Sequence, residues 1–144
     1  MNYRNLALAA FLAWIVDGLY GYIVYGKLLL SQFERFPGVF RPFDEVNANM
    51  PLMAAGGLIA MFALAFIFAK GHEGGNGIQE GLRFGVVVAV LMVAGNVVTE
   101  YCVMNFGRRL AAELAVAVFV ETAMVGLILG AVYKPVLKAR TMAL

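Results

Sequence analysis

Four runs of apolar residues, roughly Leu6–Leu30, Pro51–Ala69, Phe84–Phe106 and Leu110–Tyr133, limit what this chain can fold into. Each holds about 19 residues or more, which is what a helix rising 1.5 Å per residue needs to cross about 30 Å of hydrocarbon. In lipid every backbone N–H and C=O must find a partner inside the protein, so only helices and closed barrels cross. The runs are continuous, without the inside/outside alternation of barrel strands. The expectation is all-α: an integral membrane four-helix transmembrane bundle, one domain over 1–144. Composition agrees, with 62% hydrophobic and 14% charged residues against about half and a quarter in soluble domains. The first run reads as a retained span. Arg4 could serve as a basic region, but the apolar stretch is too long for a signal peptide, carries Asp17, and lacks a well-placed small-residue cleavage site.

The connections differ in kind. Ser31–Met50 carries Phe33, Phe36, Phe40 and Phe43 among Arg35 and Arg41, and Pro37 and Pro42 forbid a continuous helix. Two readings stand: a segment lying at the lipid–water interface, or an ordered cap over the helix ends. Lys70–Arg83, with Gly71, Gly74, Gly75, Gly77 and Gly81, reads as a flexible turn. It lacks the strand–loop–helix setting and the Lys-Ser/Thr pair of a phosphate-binding loop. The third connection is a tight turn around Gly107, Arg108 and Arg109. Four spans put both termini on one side, with Arg4, Lys70, Arg83, Lys134, Lys138 and Arg140. Lys27, Arg35, Arg41, Arg108 and Arg109 lie opposite. This small bias favours cytoplasmic termini in a bacterial inner membrane; dual or inverted orientation stays open.

Small residues recur every four positions at Gly77, Gly81, Gly85 and Ala89, at Gly126 and Gly130, and at Gly56 and Ala60. Such spacing lets helix backbones approach closely. Packing inside the bundle is the first reading and dimerisation between chains the sharper one.

Three acids, Asp17, Glu100 and Glu121, stand inside the apolar runs, with no Lys or Arg in the middle of any run to neutralise them. A charge there is costly and marks a partner or a task. Counted from the terminal side, Asp17, Asn96 and Glu121 fall about 16–18 Å deep, so the three could share one layer. Glu100 lies one turn beyond Asn96 on the same face, Tyr20 one turn from Asp17, and Thr99, Tyr101 and Thr122 adjoin. Three readings stand side by side: a polar site for protons, a cation or a cationic ligand; neutral carboxyls serving as hydrogen-bonded glue between helices; and acids paired with Lys or Arg of another subunit. Glu113 is separate, one turn from Arg109 and placed for an interfacial ion pair. Tyr25 and Tyr133 read as interface markers, Trp14 as a residue packed inside the bundle, and the methionines as gap-fillers.

The chemistry left out is as informative. The net charge of +2 gives no basis for nucleic-acid binding. One cysteine, Cys102, forbids an intrachain disulfide and reads as a small core hydrophobe. One histidine, His72, cannot make a structural zinc site or a bis-histidine haem. Hydrolytic constellations have nothing to build on. No cofactor, metal site or catalysis is expected.

The Gly21-Tyr22-Ile23-Val24-Tyr25-Gly26-Lys27 stretch, the ladder Gly77, Gly81, Gly85 and the closing Gly126–Lys134 segment resemble the DUF1761-like family of small bacterial four-helix membrane proteins. The resemblance implies the fold and carries over no activity. Asp17 also matches by position the first-span acid of the small multidrug-resistance exporters. The Phe-rich connection and the extra acids Glu100 and Glu121 depart from that pattern. The functional expectation is an accessory or scaffold subunit of a larger membrane complex, in contact with lipid and with other subunits or a second copy. The alternative is a small proton-coupled transporter with Asp17 as the coupling acid, Glu121 beside it and Tyr20 hydrogen-bonded to it.

Overall fold

The computed structural model describes residues 1–135; Lys138 and Arg140 of the charge tally lie outside them. Six helices follow in chain order: α1 (Tyr3–Leu28), α2 (Leu30–Phe33), α3 (Phe43–Ala48), α4 (Met50–Gly71), α5 (Gly77–Val103) and α6 (Arg108–Val132). The long four are the spans, and the described residues contain no strand. The fold is the all-α four-helix membrane bundle, with a broad outer belt of exposed apolar side chains such as Leu19, Ile59, Val87 and Val116.

The helix ends differ from the apolar boundaries because capping, and not hydropathy, decides where a helix starts. Asn2 accepts the Asn5 N–H at 3.2 Å and opens α1. Asn76 accepts from Ile78 N–H at 3.1 Å and Gln79 N–H at 3.4 Å, so α5 starts seven residues before Phe84. Two spans contain a widened π turn, Val24–Leu28 in α1 and Val93–Val97 in α5.

The spans pack in the order α4–α1–α6–α5. Between α4 and α1, the Trp14 Nε1–H donates to the Ala54 carbonyl at 2.9 Å, its ring lying against Gly57. Between α5 and α6 lies the glycine ladder, the most extensive contact of the fold. A Cβ on Gly81 would sit 2.7 Å from the Gly130 Cα, and one on Gly85 2.9 Å from the Ala123 carbonyl oxygen. One on Gly126 would meet the Gly85 N at 2.6 Å, and Gly77 faces the Gly130 carbonyl. No side chain fits there, so backbone meets backbone. Gly56 and Ala60 are exposed, and they do not join this packing.

Both ends of the bundle are closed. At the terminal end, Asn2 and Asn5 donate to the Lys134 carbonyl at 3.2 and 3.4 Å. Phe68, 3% exposed, touches Phe84, Tyr133 and the His72 ring. Tyr133 is buried in that cluster, not displayed as an interface marker. The 72–76 connection is tied down. The Glu80 carboxylate reaches back to accept the Glu73 N–H at 2.9 Å and the Gly75 N–H at 2.5 Å, and it meets His72 Nδ1. The glycines there supply tight turning, with Gly74 at φ +86°, and the carboxylate removes the freedom that glycines suggest. At the other end the Phe-rich connection is a cap: Phe33, Phe36, Val39 and Phe40 pack over Val97, Phe106, Leu110 and Leu114. Phe40 lies 4.9 Å from Phe33 and 5.7 Å from Phe106 between ring centroids. Arg109 and Glu113 form the expected i,i+4 pair at 2.8 Å.

Candidate functional site

Two of the three membrane acids come together. Glu121, near the middle of α6, accepts the Tyr25 hydroxyl at 2.7 Å from α1. The Tyr20 hydroxyl, one turn from Asp17, donates to the Ala117 carbonyl at 2.9 Å. The two tyrosine rings meet edge to face at 6.3 Å. Asp17 is half-buried on the same helix and within electrostatic reach of Glu121 and Tyr25. The result is a polar seam between α1 and α6: two carboxyls, two phenols and one backbone carbonyl. A hydroxyl has one proton to donate. Tyr20 gives its proton to the Ala117 carbonyl and so does not donate to Asp17.

Tyr25 was not legible as a member of this seam, and α1 explains why. On a regular helix Tyr25 lies five residues, about 140°, around from Tyr20. The π turn starting at Val24, closed by the Leu29 N–H to Val24 carbonyl bond at 2.8 Å, holds one more residue than an α turn. Tyr25 stands at the start of this turn, and its side chain reaches back to the Tyr20 ring and to Glu121, away from the interface position its place near the helix end suggests. The sequence signal was only a tyrosine doublet five residues apart, beside glycines.

Asn96 and Glu100 are not part of the seam. Both are exposed on the outer side of α5 and do not join Asp17 and Glu121 between α1 and α6. The reason is again a π turn. Eleven residues make three turns of a regular helix, so Asn96 would share the inward face of Gly85. The wide turn Val93–Val97 absorbs one residue. Val97, 5% exposed, takes the inward place and Asn96 moves outside. The Asn96 amide reaches only the Met92 sulfur at 3.5 Å, a weak acceptor. Thr99 and Glu100 follow on the outside one turn later. Thr122, beside Glu121, donates to its own helix at the Val118 carbonyl, 2.8 Å away.

Chemically, the seam ties α1 to α6 through one hydroxyl–carboxyl and one hydroxyl–carbonyl hydrogen bond. Among the described residues, no three His, Cys, Asp or Glu side chains gather as a metal site would require. The Tyr25–Glu121 bond is open to measurement. Tyr25→Phe is expected to lower stability in detergent by about 1 kcal/mol, the scale of interhelical hydrogen bonds in membranes. Tyr22→Phe, on an exposed ring, is expected to change nothing. Equal unfolding midpoints for Tyr25→Phe and wild type would show that the bond contributes no stability. Comparison with protein-family models, curated proteins and solved structures finds no match to this chain.

Proposed function

We propose that this chain is a non-catalytic subunit of a membrane assembly, held in a bacterial inner membrane with its termini in the cytoplasm. One observation carries the reading: Asn96, Thr99 and Glu100 form an exposed polar stripe on the last turns of α5, a helix long and apolar enough to cross a membrane. A polar side chain facing lipid is costly, and a facing helix removes that cost by supplying hydrogen-bond partners. The seam between α1 and α6 does not ask for a partner in this way, since Tyr20, Tyr25 and Glu121 already bond to one another's helices. The transporter reading keeps Asp17 and Glu121 but loses Asn96 and Glu100 from its relay, and so it stands second.

A photoreactive amino acid in place of Glu100, tested in native membranes, is expected to capture protein. The same probe in place of Ile59, exposed on α4, is expected to capture lipid. Lipid alone at both positions, with a monodisperse single-chain particle in mild detergent, would overturn the subunit reading.

A further inference from the structure

We propose that the terminal end of the bundle binds a phosphate group, in an open cavity of about 220 Å³ bordered by His72, Gly77, Tyr133 and Lys134. The outer stripe of α5 takes no part in this site, so the inference stands apart from the subunit reading. Two side chains point to a ligand. The His72 side chain is 5% exposed and Tyr133 is 4% exposed, and both line the cavity. The Glu80 carboxylate meets His72 Nδ1. An ionised carboxylate only accepts, so the ring proton lies on Nδ1 and the lone pair on Nε2. The Gly74 N–H, 3.2 Å from Nδ1, then meets no lone pair there. Among the described residues, His72 Nε2 and the Tyr133 hydroxyl have no hydrogen-bond partner, yet neither is sealed in. Glu113 Oε2 is the one fully buried side-chain polar atom without a partner among those residues. Nε2 and the hydroxyl therefore open on the space they border, which is the cavity, and polar groups this deep ordinarily have a partner.

The wall selects an anion. Among the described residues no acidic side chain lines the cavity, and Lys134 does. Asn2 and Asn5 bond to the Lys134 carbonyl, which holds that residue's backbone in place. Gly77 is the first residue of α5, and Asn76 caps the two N–H groups that follow it. The Gly77 N–H is left unbonded among the described residues, and the start of a long helix favours negative charge. Phosphate suits His72 as well as the donors. The ionised oxygens of a phosphate carrying one proton accept from Lys134, the Tyr133 hydroxyl and the Gly77 N–H, and its P–O–H donates to Nε2. An ionised carboxylate has no such proton to give. A soluble phosphate ester and a phospholipid headgroup share this chemistry, and a cavity at a helix end is open to both.

The test titrates inorganic phosphate, at constant ionic strength against chloride, into the full chain in a maltoside detergent, which carries no phosphate. NMR follows the Gly77 amide and the His72 ring. The expected result is a saturable shift of both signals and a raised unfolding midpoint. Tyr133→Phe removes a hydroxyl that bonds to nothing among the described residues. It is expected to leave the midpoint without phosphate unchanged and to weaken binding about tenfold. Lys134→Gln is expected to weaken binding by a similar factor. Lys70→Gln, whose ammonium lies over the Phe66 ring and not at the cavity, is expected to bind as wild type does. Nanodiscs separate the sources. If discs containing phosphatidic acid shift the same two signals and suppress the response to inorganic phosphate, the site takes a lipid headgroup. If inorganic phosphate binds equally in those discs and in phosphatidylcholine discs, it takes a soluble phosphate ester. Either outcome supports the site. Absence of a saturable shift with both inorganic phosphate and phosphatidic acid would overturn it. Equal affinities for wild type, Tyr133→Phe and Lys134→Gln would do the same, because phosphate would then be bound elsewhere.

Discussion

Replacing Gly126 with leucine is expected to loosen α5 from α6 and to lower the stability of the bundle by about 3 kcal/mol or more. A Cβ at that position would lie 2.5 Å from the Gly81 carbonyl oxygen and 2.6 Å from the Gly85 nitrogen, both backbone atoms that cannot step aside. Overpacking a core commonly costs about 1–3 kcal/mol. Here the clash is backbone on backbone along the principal contact of the fold, so the cost is expected at or above the top of that range. Thermal or denaturant unfolding of the purified protein measures it. Gly18→Leu is the matched control, since Gly18 is exposed with nothing within 4 Å of its Cβ position. A Gly126→Leu protein as stable as that control would mean that α5 and α6 do not meet through the ladder.

Truncating Phe68 to alanine has the second-largest expected effect. Its ring lies 5.4 Å from Phe84, 6.1 Å from Tyr133 and 5.6 Å from His72, joining α4 to the ends of α5 and α6. A buried Phe→Ala change costs about 3–5 kcal/mol in a water-soluble core. In a bundle whose alternative surroundings are partly lipid, the hydrophobic part of that cost is reduced and the lost packing remains. The expected loss is therefore about 2 kcal/mol, seen as a lower unfolding midpoint. It is accompanied by faster amide exchange at Glu73 and Gly75, whose N–H groups are held by Glu80 beside the same cluster. Phe66→Ala, on an exposed ring of the same helix, is expected to be silent. Equal behaviour of the two variants would show that Phe68 does not close this end.

How much of this was open to reading in the chain depends on which physical demand set each feature. Lipid demands about twenty apolar residues per crossing, so the four spans were legible to within a few residues at most ends. The exception was α5, whose polar first turn is helical because Asn76 caps it. The ladder Gly77–Gly81–Gly85 was legible because four-residue spacing keeps one face. The Phe-rich connection left two readings, since phenylalanines suit lipid interfaces and caps alike, and only their contacts with Phe106 and Leu110 decide it. The glycine-rich 72–76 segment looked loose because the residue that ties it, Glu80, sits one turn into the next helix. Depth along a span was readable by counting. Direction around the helix was not, and that placed Asn96 with Asp17 and Glu121 and set Tyr25 apart from them.

The widened turn at Val93–Val97 also bears on how this chain could change over generations. It holds one residue more than a regular turn, so loss of a single codon within it would let the helix close. Asn96 would then return to the side of Gly85. The amide now shown to the surroundings would point at α6. A point substitution recolours one position on a fixed surface. A one-residue deletion here would instead rotate everything beyond it, carrying Thr99, Glu100 and Cys102 together to a new bearing.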